Sequence, residues 1–134
     1  MTFPCFIILD PSCGGTLTES TGYIQSPNFP NPYAHNLDCV WLISRPSEKI
    51  ELTFLDFDTE ITHDYLAITL DRQQIKAQTF EWSGQGTPLS PFKSQGFMWL
   101  RFKTSSRNTH GKTYKGFRGK YFKHNPYLNK KKKK

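Results

Sequence analysis

The chain has 134 residues, room for one domain around one core. Aromatic residues make up 15% of it, with nine Gly and nine Pro, a mix that favours short strands and tight turns over long helices. No apolar run approaches the ~20 residues of a membrane span, and Phe6-Ile7-Ile8-Leu9 is too short, and lacks the preceding basic segment, for a secretory leader. The net charge of +7 is uneven along the chain: residues 1–71 hold ten acids and two bases, residues 72–134 one acid and sixteen bases. Five of those bases are the terminal run Lys130–Lys134, expected to be solvated and disordered, so the high charge is weak support for an acidic partner.

Residues 1–12 read as a linker or the remnant of a preceding module, with Met1 supplied for expression. Cys5 lies in it and has no evident partner. The stretch from Cys13 to Trp41 is dense in Gly, Pro and Asn, which forbid a helix and punctuate turns. One short strand fits inside, at Tyr23-Ile24-Gln25. Such a loop buries too little apolar surface to hold itself. A Cys13–Cys39 disulfide would hold it; the alternative is two unrelated thiols. Val40-Trp41-Leu42-Ile43 is the first clear strand, and Arg45-Pro46-Ser47-Glu48 is expected to turn the chain. Ile50-Glu51-Leu52-Thr53-Phe54 and Asp64–Leu70 alternate at period two, with Ile50, Leu52, Phe54, Leu66, Ile68 and Leu70 facing a core. From Asp71 to Gln95 the signal is poor, with one or two short strands around Ile75, Phe80 and Trp82. Phe97–Phe102 is a strong strand, residues 104–115 a polar loop, and Phe117–Tyr121 the closing strand. No helical period persists, so the pattern predicts an all-β sandwich.

The opening stretch carries a resemblance. Cys13-Gly14-Gly15, Gly22-Tyr23-Ile24, Ser26-Pro27-Asn28-Phe29-Pro30, Asn31-Pro32-Tyr33, Asn36 and Cys39-Val40-Trp41 together resemble the start of a CUB domain. The likeness runs over about residues 13–122 and leaves 123–134 as a basic, disordered tail. It implies a jelly-roll-like β-sandwich of two antiparallel sheets, with Trp41 in the core near the disulfide. It implies an extracellular module of a larger secreted or membrane-anchored protein that binds another protein and is not an enzyme. Most CUB domains carry a second bridge; here Thr62-His63 stands where its first cysteine would be, as in two-cysteine relatives such as CUB-and-sushi proteins and spermadhesins. A sushi module often precedes a CUB module, which would make Cys5 an orphan of truncation.

Asp56, Asp58, Glu60 and Asp64 crowd four carboxylates into one turn, where they repel unless neutralised. A hard divalent cation does this, and calcium is the extracellular candidate. The resemblance implies calcium ligands at Glu60 and Asp64, with Asp58 nearby and a third acid at about position 105. That position is Ser105, flanked by Lys103 and Arg107, and Asn108 could substitute only as a neutral ligand. Calcium affinity tracks ligand charge, so the site is expected to be weakened. The expected partner surface is Asp58, Glu60, Asp64, Tyr65 and Ser105.

The second charged constellation is Lys103, Arg107, Lys112, Lys115, Arg118 and Lys120, interleaved with Tyr114, Phe117 and Tyr121. The aromatics are expected to be core residues with the bases on the outer face. A sulfated glycan such as heparin is the alternative ligand, and nucleic acid is not expected. The four histidines lack metal-ligand spacing, and catalytic motifs such as Gly-x-Ser-x-Gly are absent.

Overall fold

The structure, a computed structural model, describes residues 13–72, 75–89, 91–106 and 111–124, with backbone alone at 72, 75–77 and 124. Cys5, Arg107, Asn108 and Lys130–Lys134, singled out above, lie outside the described residues.

Seven strands follow in order: β1 Gly15–Leu17, β2 Thr21–Gln25, β3 Asp38–Asp58, β4 Tyr65–Arg72, β5 Ile75–Trp82, β6 Phe92–Lys103 and β7 Gly116–His124. They form one hydrogen-bonded path, β2-β7-β3-β6-β4-β5, with β1 parallel to the start of β3 and every other pair antiparallel. Strand β3 is shared by both layers. Its first part, Asp38–Ser44, runs between β6 and the short β1; its second, Lys49–Asp58, runs beside β7, with Lys49–Leu52 still paired to β6 on the other side. The expected turn at Arg45–Glu48 is instead an irregularity inside a continuous strand, with Ser47 at φ 67°. Arg45 holds it, bonding Glu48 at 2.7 Å and the Thr18 carbonyl at 2.6 Å. Polar side chains that locally suggest a turn thus bond across the bulge and let the strand bend.

The period-two residues meet between the layers. Ile50, Leu52 and Phe54 of β3, Leu66, Ile68 and Leu70 of β4, and Met98, Leu100 and Phe102 of β6 are all buried. Phe117 of β7 is the hub, with its ring 5.0 Å from Phe102, 5.7 Å from Trp41 and 5.9 Å from Phe57. Offset and edge-to-face rings at these spacings add to area burial. Cys13 and Cys39 are joined, closing a span of 26 residues beside Trp41. Strand β7 ends at His124, two residues beyond the expected end of the domain. Among the described residues no helix is long and apolar enough to cross a membrane.

Candidate functional site

The turn between β3 and β4 carries the buried charge. Thr59 anchors its start: the Thr59 amide donates to the Gly84 carbonyl at 2.9 Å, and the Thr59 hydroxyl accepts from the Gly84 amide at 2.9 Å. The same hydroxyl donates to the Asp64 carbonyl at 3.3 Å. The His63 and Asp64 amides both donate to the Glu60 carbonyl, at 3.3 and 3.0 Å, closing residues 60–64 into one tight turn with Thr62 at φ 65°. The turn directs two carboxylates inward: Glu60 is 1% exposed and Asp64 3%. A buried carboxylate is costly unless it is hydrogen-bonded or paired.

Asp64 is held from two loops. The Tyr33 hydroxyl donates to Oδ2 at 2.6 Å, and the Ser105 amide donates to Oδ1 at 2.7 Å. The Tyr33 oxygen accepts in turn from the Glu60 amide at 3.1 Å. Burial, and then the bond to Asp64, push the Tyr33 hydroxyl far above the usual tyrosine range, so it stays a donor. Thr104 and Asn36 lock the same loops: the Thr104 hydroxyl accepts from the Leu37 amide at 2.7 Å and donates to the Ala34 carbonyl at 3.0 Å, and the Asn36 amide donates to the Ser105 carbonyl at 2.9 Å.

The acidic cluster read from the sequence separates into two parts. Glu60 and Asp64 are buried. Asp58 is half-buried and structural, accepting from Gln85 Nε2 at 3.1 Å and from the Lys115 amide at 3.0 Å. Asp56 pairs with Lys115 Nζ at 3.1 Å. Tyr114 lies where the two parts converge: its hydroxyl is pushed up by burial and then by Glu60, Asp58 and Asp64. It lines two adjoining cavities, one of about 360 Å³ with Thr59, Ile61, Gly84, Gln85 and Lys112. The other, about 50 Å³, is bounded by Tyr33, His35, Asp64, Lys112, Thr113 and Tyr114. Ile61, 56% exposed, makes an apolar lip.

Tyr65 begins β4, half-buried, in register with Lys103 rather than on the cavity wall. Of the six basic residues, the five that are described do not share a face. Lys103 lies on β6, Lys112 lines the loop cavities, Lys115 is bonded to Asp56, and Arg118 and Lys120 sit on the outer face of β7. Phe117 and Tyr121 are core residues, as expected, whereas Tyr114, expected in the core with them, precedes β7, is only half-buried and lines the loop cavities. Sequence reasoning missed Tyr33, Thr104, Tyr114 and Ile61 as site residues. A tyrosine or threonine in a loop gives no local sign that its hydroxyl reaches a carboxylate or a carbonyl 31 or 70 positions away.

A disulfide-stapled, two-layer β sandwich with a polar loop cluster at one end defines a small extracellular recognition module. A family model described as the CUB domain matches residues 13–121, and the chain belongs to this family. The chain is 33% identical over 120 residues to human cubilin, covering 82% of this chain and 3% of cubilin. It is 34% identical over 101 residues to bone morphogenetic protein 1 of Xenopus laevis, covering 72% of this chain and 14% of that protein. The chain thus spans a small fraction of these relatives. Among solved structures, the MASP-1 CUB2 domain bound to Ca²⁺ superposes with a TM-score of 0.69 at 24% identity, covering 82% of this chain and 98% of that one. The jelly-roll-like architecture expected from the sequence is the observed one.

Proposed function

We propose that the loop end formed by residues 59–64, 84–85, 104–106 and 112–115 docks a basic side chain of an extracellular protein partner. The observation that carries this is the cavity of about 360 Å³ whose lip is Ile61, whose wall is Tyr114, and which adjoins the pocket of Asp64. An aliphatic stem fits the apolar lip, and its ammonium or guanidinium fits the acids gathered around Tyr114. Lys112 lines both cavities and competes for the same acids. Recognition, not catalysis, is the chemistry this arrangement suits.

Calcium fits this site in kind and falls short in number. Glu60 and Asp64 are oxygen donors of the sort calcium takes, and the MASP-1 CUB2 domain is described with Ca²⁺. Among the described residues, however, no group of three or more His, Cys, Asp or Glu is arranged to hold a metal. At the third position Ser105 turns its backbone amide onto Asp64. Glu60 and Asp64 would hold an ion, which would supply charge neutralisation between the loops. The affinity expected is in the weak, extracellular range, about 10⁻³ M or poorer.

The docking reading is tested with isotope-labelled protein. Titration with a lysine-bearing peptide should move the amides of Thr59, Ile61 and Tyr114, and the lysine-acetylated peptide should not. Lys112→Ala should strengthen the shift, and Tyr114→Ala should remove it. Equal response to both peptides, or none, overturns the docking reading. Separately, calorimetry and melting in calcium against chelator should show no binding below millimolar concentration.

A further inference from the structure

On the outer face of the layer formed by β2, β7 and the second part of β3, a different constellation appears. Tyr23 of β2 is 48% exposed and stands in register with Lys120. The Arg118 guanidinium lies 4.1 Å from the centre of the Tyr23 ring, and the Lys120 ammonium 5.6 Å from it. Arg118 Nε is buried and makes no hydrogen bond, because the side chain is stacked on the ring.

Three lysines on or beside this layer are already paired with acids. Lys115 is paired with Asp56 at 3.1 Å, Lys123 with Glu48 at 2.9 Å and Lys93 with Glu51 at 3.4 Å. Asp56, the register partner of Arg118, is thereby engaged elsewhere, and Thr53 opposite Lys120 carries no charge. Among the described residues, no ion pair joins Arg118 or Lys120 to an acid. Two uncompensated cations therefore sit two residues apart on one strand face, roughly 6–7 Å along it. The aromatic ring holds both in place, so little side-chain entropy remains to be lost on binding.

From this arrangement we infer a second binding site, formed by Tyr23, Arg118 and Lys120, for a sulfated glycan. The charge is complementary to sulfate or carboxylate groups spaced along a chain. The ring, with the guanidinium stacked on it, fixes the spacing of the two charges. The site is on the sheet face rather than the loop end and does not depend on the docking reading. It includes Tyr23, which carries no charge, and excludes Lys103, Lys112 and Lys115, which a purely electrostatic reading of the basic stretch would include.

The test is calorimetric titration of the whole chain with a heparin decasaccharide at several salt concentrations. Arg118→Gln and Lys120→Gln should each weaken binding about five- to tenfold and lower its salt dependence. Tyr23→Leu should weaken it at least threefold with the salt dependence kept. Lys103→Gln with Lys112→Gln should change it less than twofold, and the desulfated oligosaccharide should not bind. Melting temperatures would confirm that all variants are folded. The proposal is overturned if Tyr23→Leu binds as the wild type does. It is likewise overturned if neutralising Lys130–Lys134 alone abolishes binding, or if an acidic peptide of equal charge binds more tightly than the sulfated glycan.

Discussion

Tyr33 does the work of three loops with one oxygen. It donates to Asp64 at 2.6 Å and accepts from the Glu60 amide at 3.1 Å, while its ring packs edge-on against Phe102 with centroids 5.1 Å apart. Tyr33→Phe keeps the ring and removes both bonds, leaving a buried carboxylate oxygen and an amide short of a partner. Hydrogen bonds to charged groups are worth about 1.5–3 kcal/mol, so denaturant unfolding should show a loss of about that size. The pH dependence carries a sign. The hydroxyl's folded pKa is raised, first by burial and then by Asp64, so its contribution is complete below the ordinary tyrosine value near 10 and is lost as pH rises above it. The stability gap between wild type and Tyr33→Phe should therefore be constant through neutral pH and shrink above about pH 10. A gap that already closes between pH 6 and 8 would contradict this.

Strand β7 enters the sandwich through a position only glycine can fill. Gly116 has φ 91°, and a Cβ there would lie 1.8 Å from Ser26 Oγ. That oxygen is itself committed, accepting from the Phe117 amide at 3.0 Å, while the Ser26 amide donates to the Phe117 carbonyl at 3.0 Å. Gly116→Ala must break this doubly bonded link and displace Phe117, the hub of the core. The expected cost is about 3 kcal/mol or more. Gly86 is the control. It too has a left-handed backbone, φ 99°, but open space around its Cβ position. Gly86→Ala should cost only the conformational strain, about 1–2 kcal/mol. Equal losses for the two variants in chemical denaturation would show that the contact with Ser26 is not what decides.

At the scale of the whole molecule, the Cys13–Cys39 bridge ties β1 and the turn-rich loop to β3, which β1 joins only through three parallel pairs. Closing 26 residues removes about 3.5 kcal/mol of unfolded-state entropy in the chain-entropy model. Cys13→Ala with Cys39→Ala should lower the melting temperature by roughly 10–20 °C without changing the strand content seen by circular dichroism. A shift of a degree or two would mean that the loop is held by its hydrogen bonds instead. The strands that alternate cleanly, Ile50–Phe54, Leu66–Leu70 and Met98–Phe102, were legible residue by residue. Period-two burial is a local property, written into consecutive positions. The parallel strand β1 was not legible, since three residues of Gly, Thr and Leu acquire strand geometry only from the partner beside them. The acids of the loop end were visible as a cluster, but not their division into the bonded Asp56 and Asp58 and the buried Glu60 and Asp64. The sequence by itself determined the fold class, the staple and the chemical character of each loop, because patterning, turn residues and cysteine spacing act at short range. Only the tertiary structure decided that Tyr33 and Ser105 converge on Asp64, and that Tyr23 gathers Arg118 and Lys120. Those meetings join residues tens of positions apart, brought together by the loops that converge at one end and by the pairing of β2 with β7.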